Sequence, residues 1–205
     1  MVQHMLLVAV SAPLILLGAP VRPLARGLPR PLRRALLRPL ARSPLVRSAL
    51  HLLRHPLVAA GLYVAGLYFW HVPAFYDAAL ADEVLHVVEH LWFMASALLF
   101  WGCVIDPEPF RATLAYPTRI VFLLLAGAAQ NTILGGLLAF STRLFYRSYE
   151  GRPERYGFDA VVDQRVGGAI MWVPGDVIFL AAASISFFLW LAQEEREQLR
   201  REGRA

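Results

Sequence analysis

Residues 84–105 read V-L-H-V-V-E-H-L-W-F-M-A-S-A-L-L-F-W-G-C-V-I, and this stretch decides the fold. It opens as a metal-ligand pattern and continues as an apolar run long enough to cross a hydrocarbon layer of about 30 Å at about 1.5 Å per helical residue. Its first turns carry His86, Glu89, His90 and Met94. On a helix His86, His90 and Met94 fall at i, i+4 and i+8, on one face, with the two imidazoles stacked about 6 Å apart along the axis. Four-residue spacing lets one cation touch both rings. A charged side chain at membrane depth costs about 2.5–3.5 kcal/mol on insertion scales, so such residues there need a partner or a purpose.

The rest of the chain is of the same kind. Of its 205 residues, 58% are hydrophobic, the mean hydropathy is +0.50, and the apolar residues come in blocks, which defines an integral membrane protein. The net charge of +5 rests on 20 arginines and no lysine. Their placement is a topology signal rather than a nucleic-acid footprint, and no nucleic-acid partner is expected. Cys103 is the lone cysteine, which excludes an intramolecular disulfide and any Cys-pair metal motif.

The chain reads as one all-α membrane domain, residues 1–205, a polytopic bundle of about five spans at about 2–17, 57–70, 84–105, 117–140 and 166–191. The start, Met1 to Gly18, has no basic n-region and no small-residue cleavage site, so it does not read as a signal peptide. Residues 20–54 form a basic cytosolic loop with nine arginines, broken by prolines at 20, 23, 29, 31, 39 and 44. It is either a solvated loop or a set of short Arg/Leu pieces lying on anionic lipid. Span two ends in Phe69-Trp70-His71-Val72-Pro73, an interfacial belt, and Asp82 is placed to cap span three, which closes at Asp106-Pro107-Glu108-Pro109. Gln130 and Asn131 lie within span four, Asp176 within span five, and Gly127, Gly135 and Gly136 suit close helix contact. The outer loop 141–163 carries Tyr146, Tyr149, Tyr156 and Phe158, as a docking surface or an aromatic belt.

Counting arginine across alternate sides sets the orientation. Fifteen fall on the side of the 20–54 loop, of Arg111 and Arg119, and of the tail with Arg196, Arg200, Arg201 and Arg204; five, Arg143, Arg147, Arg152, Arg155 and Arg165, fall opposite. The N-terminus is therefore expected outside and the C-terminus in the cytosol. This places His4, His71, His86, His90, Asp163, Gln164 and Met171 in the outer part of the bundle, and His51, His55 and Cys103 toward the inner. His51 and His55 share the four-residue spacing, but no other ligand type lies near them and His55 precedes proline, so they read as structural or solvated. Met5, Met94 and Met171 read as core packing or as soft ligands. Glu89 reads as an acceptor for a ring N–H behind the ligands. Imidazole and thioether donors without thiolate suit copper, Cu(I) above all, with zinc possible through the histidines. No hydrolytic triad, phosphate loop or dinucleotide fingerprint is present, so no enzyme is expected.

Four ordered motifs, M-V-Q-H-M-L-L with A-P-L-I-L-L-G-A-P, F-W-H-V-P-A-F-Y-D-A-A-L, L-H-V-V-E-H-L-W-F and D-Q-R-V-G-G-A-I-M-W-V-P-G, resemble the CtaG family, the caa-type cytochrome c oxidase assembly factors. The resemblance runs through essentially the whole chain. It implies a multi-pass protein of the bacterial plasma membrane that helps mature a haem–copper oxidase, with copper handled at the outer face. By motif match it points to His4, His71, His86, His90, Asp163, Gln164 and Met171. Family members typically carry further segments upstream and open the first motif as H-M-x-Q-H, whose leading histidine would fall just before Met1; this sequence is expected to lack them.

The leading expectation is an assembly factor holding copper at His4, His71, His86 and His90, with Met5, Met94 and Met171 as soft ligands, Glu89, Asp163 and Gln164 behind them, and an oxidase subunit and membrane lipid as partners. The alternatives are a transporter for copper ions or protons along Glu89, Asp176, Gln130 and Asn131, and a haem-bearing electron carrier with axial histidines.

Overall fold

The structure, a computed structural model, describes residues 1–106, 111–151, 153–157 and 159–203. Pro107, Glu108, Pro109, Arg152, Phe158 and Arg204 of the sequence reading lie outside the described residues, as does the side chain of Tyr156.

The described residues are helical, without strands. The helices are α1 (Val2–Leu17), α2 (Val21–Gly27), α3 (30–42), α4 (Pro44–Leu53), α5 (Pro56–His71), α6 (Pro73–Ala81), α7 (Glu83–Trp101), α8 (Tyr116–Ala139) and α9 (Ala160–Glu202). Three of them, α7, α8 and α9, are long and apolar enough to cross a membrane, and the count reaches five if the bent pairs α1 with α2 and α4 with α5 are each taken as one span.

Local chemistry sets the boundaries. Pro44, Pro56 and Pro73 each open a helix, where the missing N–H costs nothing and φ is already helical. Asp82 Oδ1 accepts from Leu85 N at 3.0 Å and caps α7. Asp159 Oδ1 accepts from Val161 N and Val162 N at 2.9 and 3.0 Å and caps α9. So α9 starts ahead of the 166–191 apolar stretch, and residues 160–163 of the 141–163 segment are helix rather than loop. The 20–54 segment is also largely helical, as short pieces separated at its prolines.

Packing rests on close approach. Between α8 and α9, a Cβ built on Gly168 would stand 2.5 Å from Ala139 N, one on Gly135 2.9 Å from Trp172 N, and one on Gly127 2.7 Å from the Phe179 ring. Small residues thus let two backbones touch, which is how helices adhere where no hydrophobic effect separates them from lipid. The α5–α7 contact uses Gly66 against the Trp92 indole. Helix α1 is held differently. Over Leu6–Ser11 it widens so that Ala12 N bonds Leu7 O. The next residue in that register, Pro13, has no N–H, so the carbonyl of Val8 is released. Trp101 Nε1 on α7 donates to it at 2.9 Å. The core around this bond contains Tyr63, Phe93, Phe100, Trp101, Leu123 and Phe179.

Candidate metal centre

The first turn of α1, the last of α5 and the first turns of α7 meet at one end of the bundle. His4, His86 and His90 each bring a ring nitrogen to within 4.8 Å of the others. Their ring centroids lie 4.8 Å (His4–His90), 4.4 Å (His86–His90) and 6.3 Å (His4–His86) apart. Nitrogens sharing one cation at about 2.0–2.1 Å would stand about 3.3 Å apart, so a small inward movement of the rings would let the three share one cation. Phe93 closes the floor, its centroid 5.0 Å from that of His4 and 6.5 Å from that of His71.

Hydrogen bonding fixes which nitrogen is free. His90 Nδ1 lies 2.9 Å from His86 O and His71 Nδ1 lies 2.7 Å from Leu67 O. A carbonyl only accepts, so both rings carry the proton on Nδ1 and keep the lone pair on Nε2. Those two Nε2 atoms are buried without a partner, and so is Nδ1 of His4. Buried polar atoms are almost always bonded, so three imidazole nitrogens without a side-chain or backbone hydrogen bond at one end of a bundle form a place that an ion or ordered water can fill. The donors fit a soft or borderline cation and not calcium or magnesium. Glu89, 3% exposed, has Oε1 4.0 Å from His4 Nδ1, which puts a carboxylate at the edge of the cluster.

The remaining candidates sit elsewhere. Met94 is half-buried against the main core. Met5 and Met171 pack in an apolar cluster with Leu67 and Leu134, and Met171 is 1% exposed. Gln164 is bonded into the loop that follows α8: its Oε1 accepts from Phe145 N at 2.7 Å and its Nε2 donates to Arg143 O at 3.0 Å. Asp163 is exposed and lines a cavity of about 210 Å³ with Met1, Tyr76, Tyr149 and Gln164. His51 and His55 lie at the elbow between α4 and α5.

A tyrosine roof covers the histidine end, and the sequence gives little notice of it. Tyr76 stacks on Tyr146 at 4.0 Å and shares a 3.0 Å bond with the Tyr149 hydroxyl. Tyr146 OH donates to His71 O at 3.2 Å. Burial pushes the Tyr76 and Tyr146 phenols above their ordinary range, so both remain neutral donors. Tyr146 is 3% exposed, so this side chain of the 141–163 segment faces into the bundle and is not part of a docking surface. Asp77 ties the roof down by accepting from Arg147 N and Ser148 N at 3.2 and 3.1 Å.

Fold and site together define a multi-helix membrane protein with a polyhistidine centre near one end of its bundle. The chain belongs to the family described as cytochrome c oxidase caa3 assembly factor (Caa3_CtaG), whose sequence profile matches residues 1–193. It is similar to the uncharacterized protein Mb0105 of Mycobacterium bovis and the uncharacterized protein MT0111 of Mycobacterium tuberculosis, each 26% identical over 215 residues. The alignment takes in 100% of this chain and 31% of each relative, so the chain spans about a third of the length of those proteins. No solved structure matches it.

Proposed function

We propose that this chain serves cytochrome c oxidase assembly by holding copper, as cargo, at a centre built from His4, His86 and His90 with His71 beside them. The observation that carries the reading is the set of unpartnered buried nitrogens on His4, His71 and His90, contributed by three different helices. Three imidazoles hold Cu(I) well enough to keep it from solvent and leave a position for a receiving ligand, which is what a donor to an oxidase subunit requires. Zinc accepts the same donors. Glu89, with Oε1 4.0 Å from His4 Nδ1, sets a carboxylate beside the ion and helps fix the His4 ring. The arginine distribution supports a bacterial plasma-membrane protein with the histidine end outside and the C-terminus in the cytosol. No side-chain constellation for catalysis accompanies the centre, and the role proposed is that of a chaperone rather than an enzyme.

The test is metal content after anaerobic Cu(I) loading and chelator competition, with zinc in parallel, comparing the native chain with the His86→Ala/His90→Ala variant. Retention of about one copper by the native chain and its loss from the variant supports the centre. Equal retention, or preference for zinc at equal chelator strength, overturns it. Copper content of the oxidase in cells lacking the protein then separates delivery from storage.

A further inference from the structure

A second site lies at the elbow between α4 and α5 and does not depend on the copper reading. The arm from Pro20 to Arg54 carries nine arginines, and residues 1–76 contain no aspartate or glutamate. Helix α4 meets α5 at a 66° bend and α2 leaves α1 at 61°. Where α5 follows the membrane normal, a 66° bend turns α4 toward the membrane plane. No residue of α4 is buried, and Leu45, Leu50 and Leu52 are 78%, 46% and 60% exposed, so its apolar side has no cover within the described residues.

At the elbow a cavity of about 400 Å³ is lined by Arg47, His51, Arg54, His55 and Thr113, with Leu50 in its wall. Arg47, His51 and Arg54 follow at i, i+4 and i+7, on one face of the turn. Arg54 Nη2 donates to Arg111 O at 2.6 Å, a bond that fixes where its guanidinium stands. Guanidinium forks match phosphate oxygens in pairs, and imidazole and hydroxyl groups supply further donors. We propose that this cavity binds the phosphate of an anionic phospholipid headgroup at Arg47 and His51, with Leu45 and Leu52 of α4 set among the acyl chains. The acid-free arginine arm supplies charge complementarity. The bend and the exposed leucines favour a lipid over a free anion, because they bring the cavity to the boundary where headgroup and chain meet.

The experiment titrates the full chain in detergent with phosphatidylglycerol, with phosphatidylcholine as the neutral lipid, and counts retained lipid by native mass spectrometry. The expected result is phosphatidylglycerol retained in preference to phosphatidylcholine. Its affinity should fall about fivefold for Arg47→Gln, the loss of one charge at a membrane surface, and further for Arg47→Gln/His51→Gln. Both residues are exposed on α4, so these variants leave the bundle intact. Arg26→Gln/Arg30→Gln, on the same arm but outside the cavity, should change it less than about twofold. Equal loss in the two double variants means diffuse charge and overturns the site. So does equal retention of the two lipids, and so does displacement of phosphatidylglycerol by equimolar inorganic phosphate, which would make the ligand a free anion.

Discussion

Two groups of polar side chains lie inside the helical bundle, and they differ in one respect. On α8 and α9, Asn131 Nδ2 donates to Met171 O at 2.7 Å and to Asp176 Oδ1 at 3.1 Å, and Thr132 Oγ1 donates to the other Asp176 oxygen. Gln130 is engaged too, accepting from Tyr68 OH at 3.0 Å and donating to Leu125 O at 3.1 Å. At the histidine end, His4, His71 and His90 each keep a buried nitrogen with no partner. A satisfied polar cluster between helices is adhesive, whereas an unsatisfied one leaves room for a ligand. Of the side chains a transport path would use, Asn131 and Asp176 bond one another, Gln130 bonds Tyr68 and the carbonyl of Leu125, and Glu89 stands beside His4.

The largest effect expected from this contrast is on metal and not on folding. His86→Ala/His90→Ala should weaken copper binding by at least about a hundredfold, because removing a group that merely supports a ligand already costs about 10–100-fold. The apparent melting temperature of the metal-free protein in detergent should change little, since the deletion removes the unbonded His90 Nε2 together with only one ring bond, from Nδ1 to the backbone of the same helix. A large drop in that temperature would make the histidines structural and break the contrast. Glu89→Gln is the next step down. It keeps the shape and removes the charge beside His4, and should cost about 10–100-fold in chelator competition. Unchanged affinity would show that the carboxylate does not orient the rings.

The satisfied cluster should behave oppositely. Asn131→Leu removes the bonds to Asp176 Oδ1 and to the carbonyl of Met171, and should lower stability by about 1–3 kcal/mol while copper affinity stays within about twofold. Trp101→Phe removes the indole N–H from the carbonyl that Pro13 leaves free, a loss of about 1 kcal/mol read in the same melting experiment. If either variant sheds copper as readily as the histidine variant, the two clusters are one unit and the distinction fails.

How far these features are legible in the sequence follows from the range of the forces involved. The apolar blocks of α7, α8 and α9 are local, and so are the Asp82 cap and the His86/His90 spacing, and a reader finds them without coordinates. The approach of His4 to that pair follows only from counting spans, because α1 and α7 are far apart in the chain. The release of Val8 O by Pro13 and its capture by Trp101 has no local signal, since a proline in an apolar helix reads only as a kink. Gln164 stands in a motif beside Asp163, yet its two bonds go to the backbone of the roof, a job that spacing does not reveal. The early start of α9 has a local sign, the capping residue Asp159, but Asp159, Asp163, Gln164 and Arg165 depress hydropathy and hide it.

The smallest effect belongs to the methionines, and it sharpens the contrast most. A thioether near histidines reads in sequence as a soft copper ligand, but Met5 and Met171 lie against Leu67 and Leu134. A Cβ on Gly175 would stand 2.7 Å from the Met5 methyl, so this side chain fills space between helices. Met171→Leu conserves volume in a packed core and should cost less than about 1.5 kcal/mol. Copper affinity should not move, because the three imidazoles supply the donors. A tenfold weakening at unchanged melting temperature would enlarge the centre to include sulfur. It would also place the α9 helix, and not only α1 and α7, in control of when the ion leaves.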